Sequence, residues 1–93
     1  MIPTIGRIVL VNLGADTRPG AQPEQQLRPA IVVRTWGSTP EAAINVQLFP
    51  DGGNDVGLEY LVSNQIDPSK GSLCLTSLIQ GDHVGGWSWP PRA

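Results

Sequence analysis

Three kinds of side chain in this sequence suit ligand recognition, and they come in pairs. Arg34 and Trp36 stand two apart, as do Asn45 and Gln47, and Trp87 and Trp89 do so again just before Pro90, Pro91 and Arg92. Residues two apart on an extended chain point to the same side. Each pair therefore shares a face: guanidinium with indole, two carboxamides, two indoles. Arginine grips phosphate with a planar fork, Asn and Gln read base edges, and Trp stacks on flat rings. If these faces coincide, the set suits a nucleobase, ribose or phosphate ligand, with Arg92 close by. Taken singly, each residue has a plainer structural reading. A strand Trp packs in a core, strand amides face water, and Arg34 can lay its stem over an apolar neighbour. Only their convergence argues for a site.

Catalysis has less behind it. A Ser-His-Asp arrangement would have to use His83, which lies in a Gly-rich turn beside Asp82, and there is no Gly-x-Ser-x-Gly elbow. The segment 51–55 carries carboxylates around two glycines, but without the spacing and terminal Glu of a calcium loop. No Gly-rich phosphate loop ending in Lys-Ser/Thr is present. Glu41, Asp55 and Glu59 are acidic residues in or near turns, where solvation is the ordinary fate. The single Cys74 excludes an internal disulfide and reads as a small buried thiol between Leu73 and Leu75. We therefore expect no catalytic residues, no metal and no cofactor.

The elements that must position these groups are short strands. Residues 6–13 form a β-branched run between glycines, 29–36 a second, 44–49 a third, 72–79 a fourth and 86–90 a last short one. In the second, Ile31, Val33 and Thr35 are expected on one face and Val32, Arg34 and Trp36 on the other. In the third, Ile44, Val46 and Leu48 oppose Asn45, Gln47 and Phe49. Residues 14–29 read as a long loop, either functional or a tolerated insertion. Thr39 and Pro40 suit the cap and first position of one helical turn. Residues 58–66 fit a strand or a short helix. The fold class is thus mainly β: a small antiparallel sheet or barrel of five to six short strands with at most one or two helical turns.

At 93 residues the chain makes a single domain, 1–93, with five aromatic side chains and a core built from Val, Ile and Leu. So small a core favours self-association into a homo-oligomer. Net charge is −2 and the cations stand singly, which argues against a general nucleic-acid binder with a basic stripe and leaves room for a localised anion pocket. No secretory signal is recognisable and no apolar run approaches the ~20 residues of a membrane span. The expected setting is cytoplasmic, with no membrane partner.

Several stretches are familiar in combination: residues 1–9 (Met-Ile-Pro-Thr-Ile-Gly-Arg-Ile-Val), 33–42, 45–49, 51–55, 75–77 and 86–92 (Gly-Trp-Ser-Trp-Pro-Pro-Arg). In this order they resemble a family of short tailed-phage and prophage proteins that begin and end on those two signatures. The loop after the first strand is shorter than in many of those relatives, and residues 56–71 look inserted. The resemblance implies phage origin without a settled activity. Small acidic phage proteins serve as virion or assembly parts, as inhibitors of host machinery, or as oligomeric sponges for nucleotide signals of bacterial immunity. The expectation that follows is a non-enzymatic, homo-oligomeric protein of the host cytoplasm that sequesters a small anionic nucleotide-like ligand. In that reading Trp36 with Trp87 or Trp89 stacks on bases, Arg34 and Arg92 meet phosphates, and Asn45 and Gln47 select. The alternative is a virion or assembly component, or a protein inhibitor, docking through its Trp/Pro tail.

Overall fold

The computed structural model describes residues 1–91. Its elements are β1 (Ile8–Asn12), β2 (Leu27–Thr35), β3 (Ile44–Leu48), a 3-10 turn (Gly52–Asp55), α1 (Glu59–Ser63), a second 3-10 turn (Pro68–Lys70), β4 (Leu73–Leu78) and β5 (Trp87–Ser88). All neighbouring strands are antiparallel, in the order β4-β3-β2-β1-β5. The sheet curls into a half-barrel, so the mainly-β expectation holds. An isolated bridge between Gln80 and Trp87 links the chain after β4 to β5 at the far edge. No helix among the described residues is long and apolar enough to cross a membrane.

Alternation on the strands decides which face is interior. Val9 and Val11 of β1, Ala30 and Val32 of β2, and Ile44, Val46 and Leu48 of β3 are all fully buried on one side. Leu75 and Leu78 of β4, Trp87 of β5, and Leu58 and Leu61 around α1 complete that core. Residues 58–66, ambiguous in sequence, thus resolve into a short helix whose Leu61 closes the interior.

Two irregularities interrupt the ladders. Val32 pairs with Val46 but Arg34 with Asn45, so Val33 is an extra residue on β2. Ile44 pairs with Leu78 but Val46 with Leu75, which gives β4 an extra residue opposite Asn45. These are β-bulges, and each reverses the side-chain phase of its strand. Val32 therefore faces the core while Arg34 and Trp36 face outward, correcting the expectation that the three share a side. Likewise Leu75 and Leu78 both point inward although three apart. Ser77, in the second bulge, has a φ of 57°.

Three further expectations are corrected. Residues 39–42 form a turn closed by the Ala42 N–H donating to the Thr39 carbonyl at 3.1 Å, with no helical hydrogen bonding. The strand reaches back to Leu27, so Pro29 lies inside it. The Pro29 carbonyl accepts from Phe49 N–H at 3.0 Å, but its ring nitrogen cannot donate in return, and β3 ends at Leu48. Cys74 is exposed, because it pairs with Gln47 on the outer face.

The segment after β1 is pinned. Asp16 bridges Leu58, Glu59 N–H donates to Ala15, Tyr60 N–H to Leu13, and Thr17 N–H to Gly57. The loop after β1 and the segment around α1 are thus joined by backbone hydrogen bonds.

Candidate functional site

The two bulges flank Asn45 and determine its chemistry. Its Oδ1 accepts the Trp36 Nε1–H at 2.9 Å and the Ser77 backbone N–H at 2.8 Å. A bulge frees a backbone donor from the ladder, and here a side chain satisfies it. The same oxygen fixes the rotation of the Trp36 indole, which is 57 % exposed. Arg34 lies over that ring, with Cζ 4.8 Å from its centre. The geometry is a cation–π stack whose guanidinium has no carboxylate partner among the described residues. Asn45 is therefore a positioning residue. Its oxygen is committed internally, and only Nδ2 remains to meet a ligand.

Gln47 shares this outer face, two residues along β3 and paired with Ile31 and Cys74. Its amide makes no hydrogen bond to the described residues, so both ends of it are free. The surroundings are apolar and exposed: Ile8 at 57 %, with Leu27, Val33 and Phe49 each near half. Arg34, Trp36, Asn45 and Gln47 are accordingly gathered on one face, the one turned away from the core.

The other predicted residues are not with them. Trp87 is fully buried, pairs with Val11, and belongs to the interior. Its Nε1 has no hydrogen-bond partner among the described residues, so there it supplies volume and no polar contact. Trp89 meets Trp87 edge-on, with ring centres 5.2 Å apart and planes at 90°. This pair sits on the opposite side of the sheet from Arg34, which removes the expected second stacking surface from that site. Arg92 lies outside the described residues. Sequence reasoning passed over Arg7, whose Cζ stands 5.6 Å from the Trp89 ring centre. No local spacing could have found it, because β1 and β5 become neighbours only through the sheet topology.

Two other arginines are spent on structure. Arg28 donates Nε and Nη2 to the two oxygens of Asp55, each at 2.8 Å, and Asp55 also accepts the Asp51 N–H at 2.7 Å. Asp55 is buried, and its hydrogen bond to Arg28 holds the guanidinium above its ordinary pKa. Arg18 forks onto Asp16 and also donates to the Asn54 carbonyl. The Arg18 side chain, with its backbone N–H adding to it, holds Asp16 at a pKa of about 2. Both pairs tie the loop after β1, or the start of β2, to the 3-10 turn. The buried Asn12 is likewise internal: its Nδ2 donates to Gln25 Oε1 at 2.6 Å and to the Asp82 carbonyl, and its Oδ1 accepts from Gly14.

No family model matches the chain, and no curated protein or solved structure matches it either.

Proposed function

We propose that this chain is a non-enzymatic binding protein that takes a small, flat, anionic ligand of the nucleotide type on the outer face of its sheet. One observation carries the reading: Arg34, free of any carboxylate partner among the described residues, is stacked on an exposed indole that Asn45 holds in place. Guanidinium is a phosphate donor already oriented, the open side of the Trp36 ring is a stacking platform, and Gln47 supplies a donor and an acceptor. The apolar surroundings favour a homo-oligomer in which a second copy covers the site, and exclusion of water strengthens each charge-assisted contact. The resemblance to phage proteins supplies the setting. The ligand is a nucleotide signal of host immunity, sequestered intact in the host cytoplasm.

Calorimetric titration of the purified protein with cyclic dinucleotides and ADP-ribose derivatives tests this. Binding to a member of the panel is expected, with the ligand recovered unchanged after heat denaturation. Silence across the panel removes the proposal, and a degraded ligand makes the protein an enzyme.

A second reading has its own support. Ile8, Leu27, Val33, Trp36 and Phe49 form an exposed apolar face of the kind that docks proteins. A virion, assembly or inhibitor role would use this face, with Trp87 of the Trp/Pro tail contributing to the core instead of the contact. Stoichiometric recovery of the chain in purified particles, with no small-molecule binding, would favour that role.

A further inference from the structure

A second recess opens at the start of β1, and its chemistry differs. A turn closes where the Arg7 N–H donates to the Thr4 carbonyl at 3.1 Å. Gly6 takes its third position with a φ of 93°, which a side chain would resist. This turn delivers Arg7 to the start of β1. Pairing of Leu10 with Ser88 and Val11 with Trp87 then brings Trp89 alongside. Between them opens a cleft of about 500 Å³ lined by Met1, Gly6, Arg7, Ile8, Trp89 and Pro90. That volume falls within the ~300–1,000 Å³ typical of small-ligand pockets.

We infer that this cleft is a distinct binding site for a small acid that carries one anionic group on a flat apolar body. Three features define that class. Arg7 has no carboxylate partner among the described residues; its side-chain hydrogen bond goes to the Met1 thioether, a weak acceptor on a flexible stem. Arg18 and Arg28, by contrast, each have a fixed carboxylate. An exposed guanidinium with no carboxylate partner among the described residues is open to an anion that the ligand brings. The indole beneath it is preorganised, because Trp89 is braced edge-on by the fully buried Trp87. Ile8, Met1 and Pro90 supply apolar walls and no second charge, so one anionic group and no more is matched. Arg34, Trp36, Asn45 and Gln47 are not among the residues that line the cleft, and Ile8 alone is shared with the outer face.

The test compares 2-naphthoate with its neutral isostere 2-naphthamide, both titrated into the wild-type chain by calorimetry. Naphthoate is expected to bind about tenfold more tightly, a margin in keeping with a charge-assisted fork. The margin should shrink as salt is raised. Arg7→Gln should bring the two probes to within twofold of each other, and Trp89→Leu should weaken both. Arg34→Gln should change neither, which separates this site from the outer face: nucleotide binding can fail there while naphthoate selectivity survives here. Equal affinities in the wild type, absence of binding by both probes, or a selectivity that follows Arg34 instead of Arg7 would each overturn the inference. The wild-type contrast and its salt dependence need no variant, so a poorly folding Arg7→Gln does not protect the idea.

Discussion

Indole side chains in this chain do two opposite jobs, and substitution separates them. Trp36 is more than half exposed and contributes one hydrogen bond to Asn45. Trp36→Ala should abolish nucleotide binding while shifting stability by only about 1 kcal/mol, the scale of a lost exposed contact. Trp87→Ala instead empties the largest fully buried side-chain volume of the core. It should cost roughly 3–5 kcal/mol, much of what a domain this small possesses. Trp87→Phe should cost well under half of that, because a ring still fills most of the volume and the buried indole N–H has no partner among the described residues to lose. Urea denaturation of the three variants gives the ranking; a Trp36→Ala chain that unfolds like Trp87→Ala would assign Trp36 to the framework. Arg34→Ala should weaken nucleotide binding most at low salt, where a phosphate contact is least screened. An affinity unchanged there would detach Arg34 from the site.

At the scale of elements, the strands were readable in the sequence and the faces only partly. The alternation on β3 passed directly into burial: Ile44, Val46 and Leu48 are interior, Asn45 and Gln47 are not. The alternation on β2 failed at Val33, because a bulge leaves no residue-type signature where Val, Arg and Thr follow one another. That same bulge put Arg34 and Trp36 on the face of Asn45 and Gln47, so the gathering of these four has a cause that the pattern did not contain. Cys74 was misplaced because flanking apolar residues say nothing about which side of an edge strand faces water. Trp87 and Trp89 have the right spacing for a common side, but only the pairing of β5 with β1 decides that this side is the interior. The segments around α1 make their own predictions. Arg28→Met leaves the buried Asp55 carboxylate without its guanidinium and should cost about 3–5 kcal/mol in chemical denaturation. The acid limb follows from Asp16, held at about 2 against an ordinary 3.8, and from Asp67, lowered by its bonds to Ser69. Depressed carboxylates stabilise the fold fully above their unfolded pKa and lose that contribution as pH falls through the folded value. Melting temperature should therefore fall between roughly pH 4 and pH 2. Asp16→Asn should flatten that fall and unpin residues 14–18; an unaltered acid limb would place the sensitivity elsewhere.

For the whole molecule, the balance between a thin interior and an apolar exterior favours assembly. The core is one layer of Val, Ile and Leu closed by a single Trp and a five-residue helix, while Ile8, Leu27, Val33, Trp36 and Phe49 remain exposed on the outer face. A stable contact typically covers about 800 Å² per partner, roughly 15 % of the 5444 Å² surface of this chain. Two copies meeting by a two-fold axis would place the same patch against itself, and no Asp or Glu interrupts the outward positions of β1, β2 and β3. Arg34 is then the charge that such a contact concentrates, one from each copy. Mutual repulsion of the two guanidiniums is relieved when an anionic ligand sits between them, so assembly and ligand binding should reinforce each other. Sedimentation equilibrium should give a mass above the 9.9 kDa of one chain, rising further when a bound nucleotide is present. Phe49→Lys adds a like charge to both sides of a symmetric contact and should return the protein to single chains. The same variant should lower nucleotide affinity without altering the circular dichroism of the sheet. A wild-type protein that sediments as one chain at every concentration, with and without nucleotide, would mean that the outer face works alone and that its ligand is held by one copy of Arg34 and Trp36.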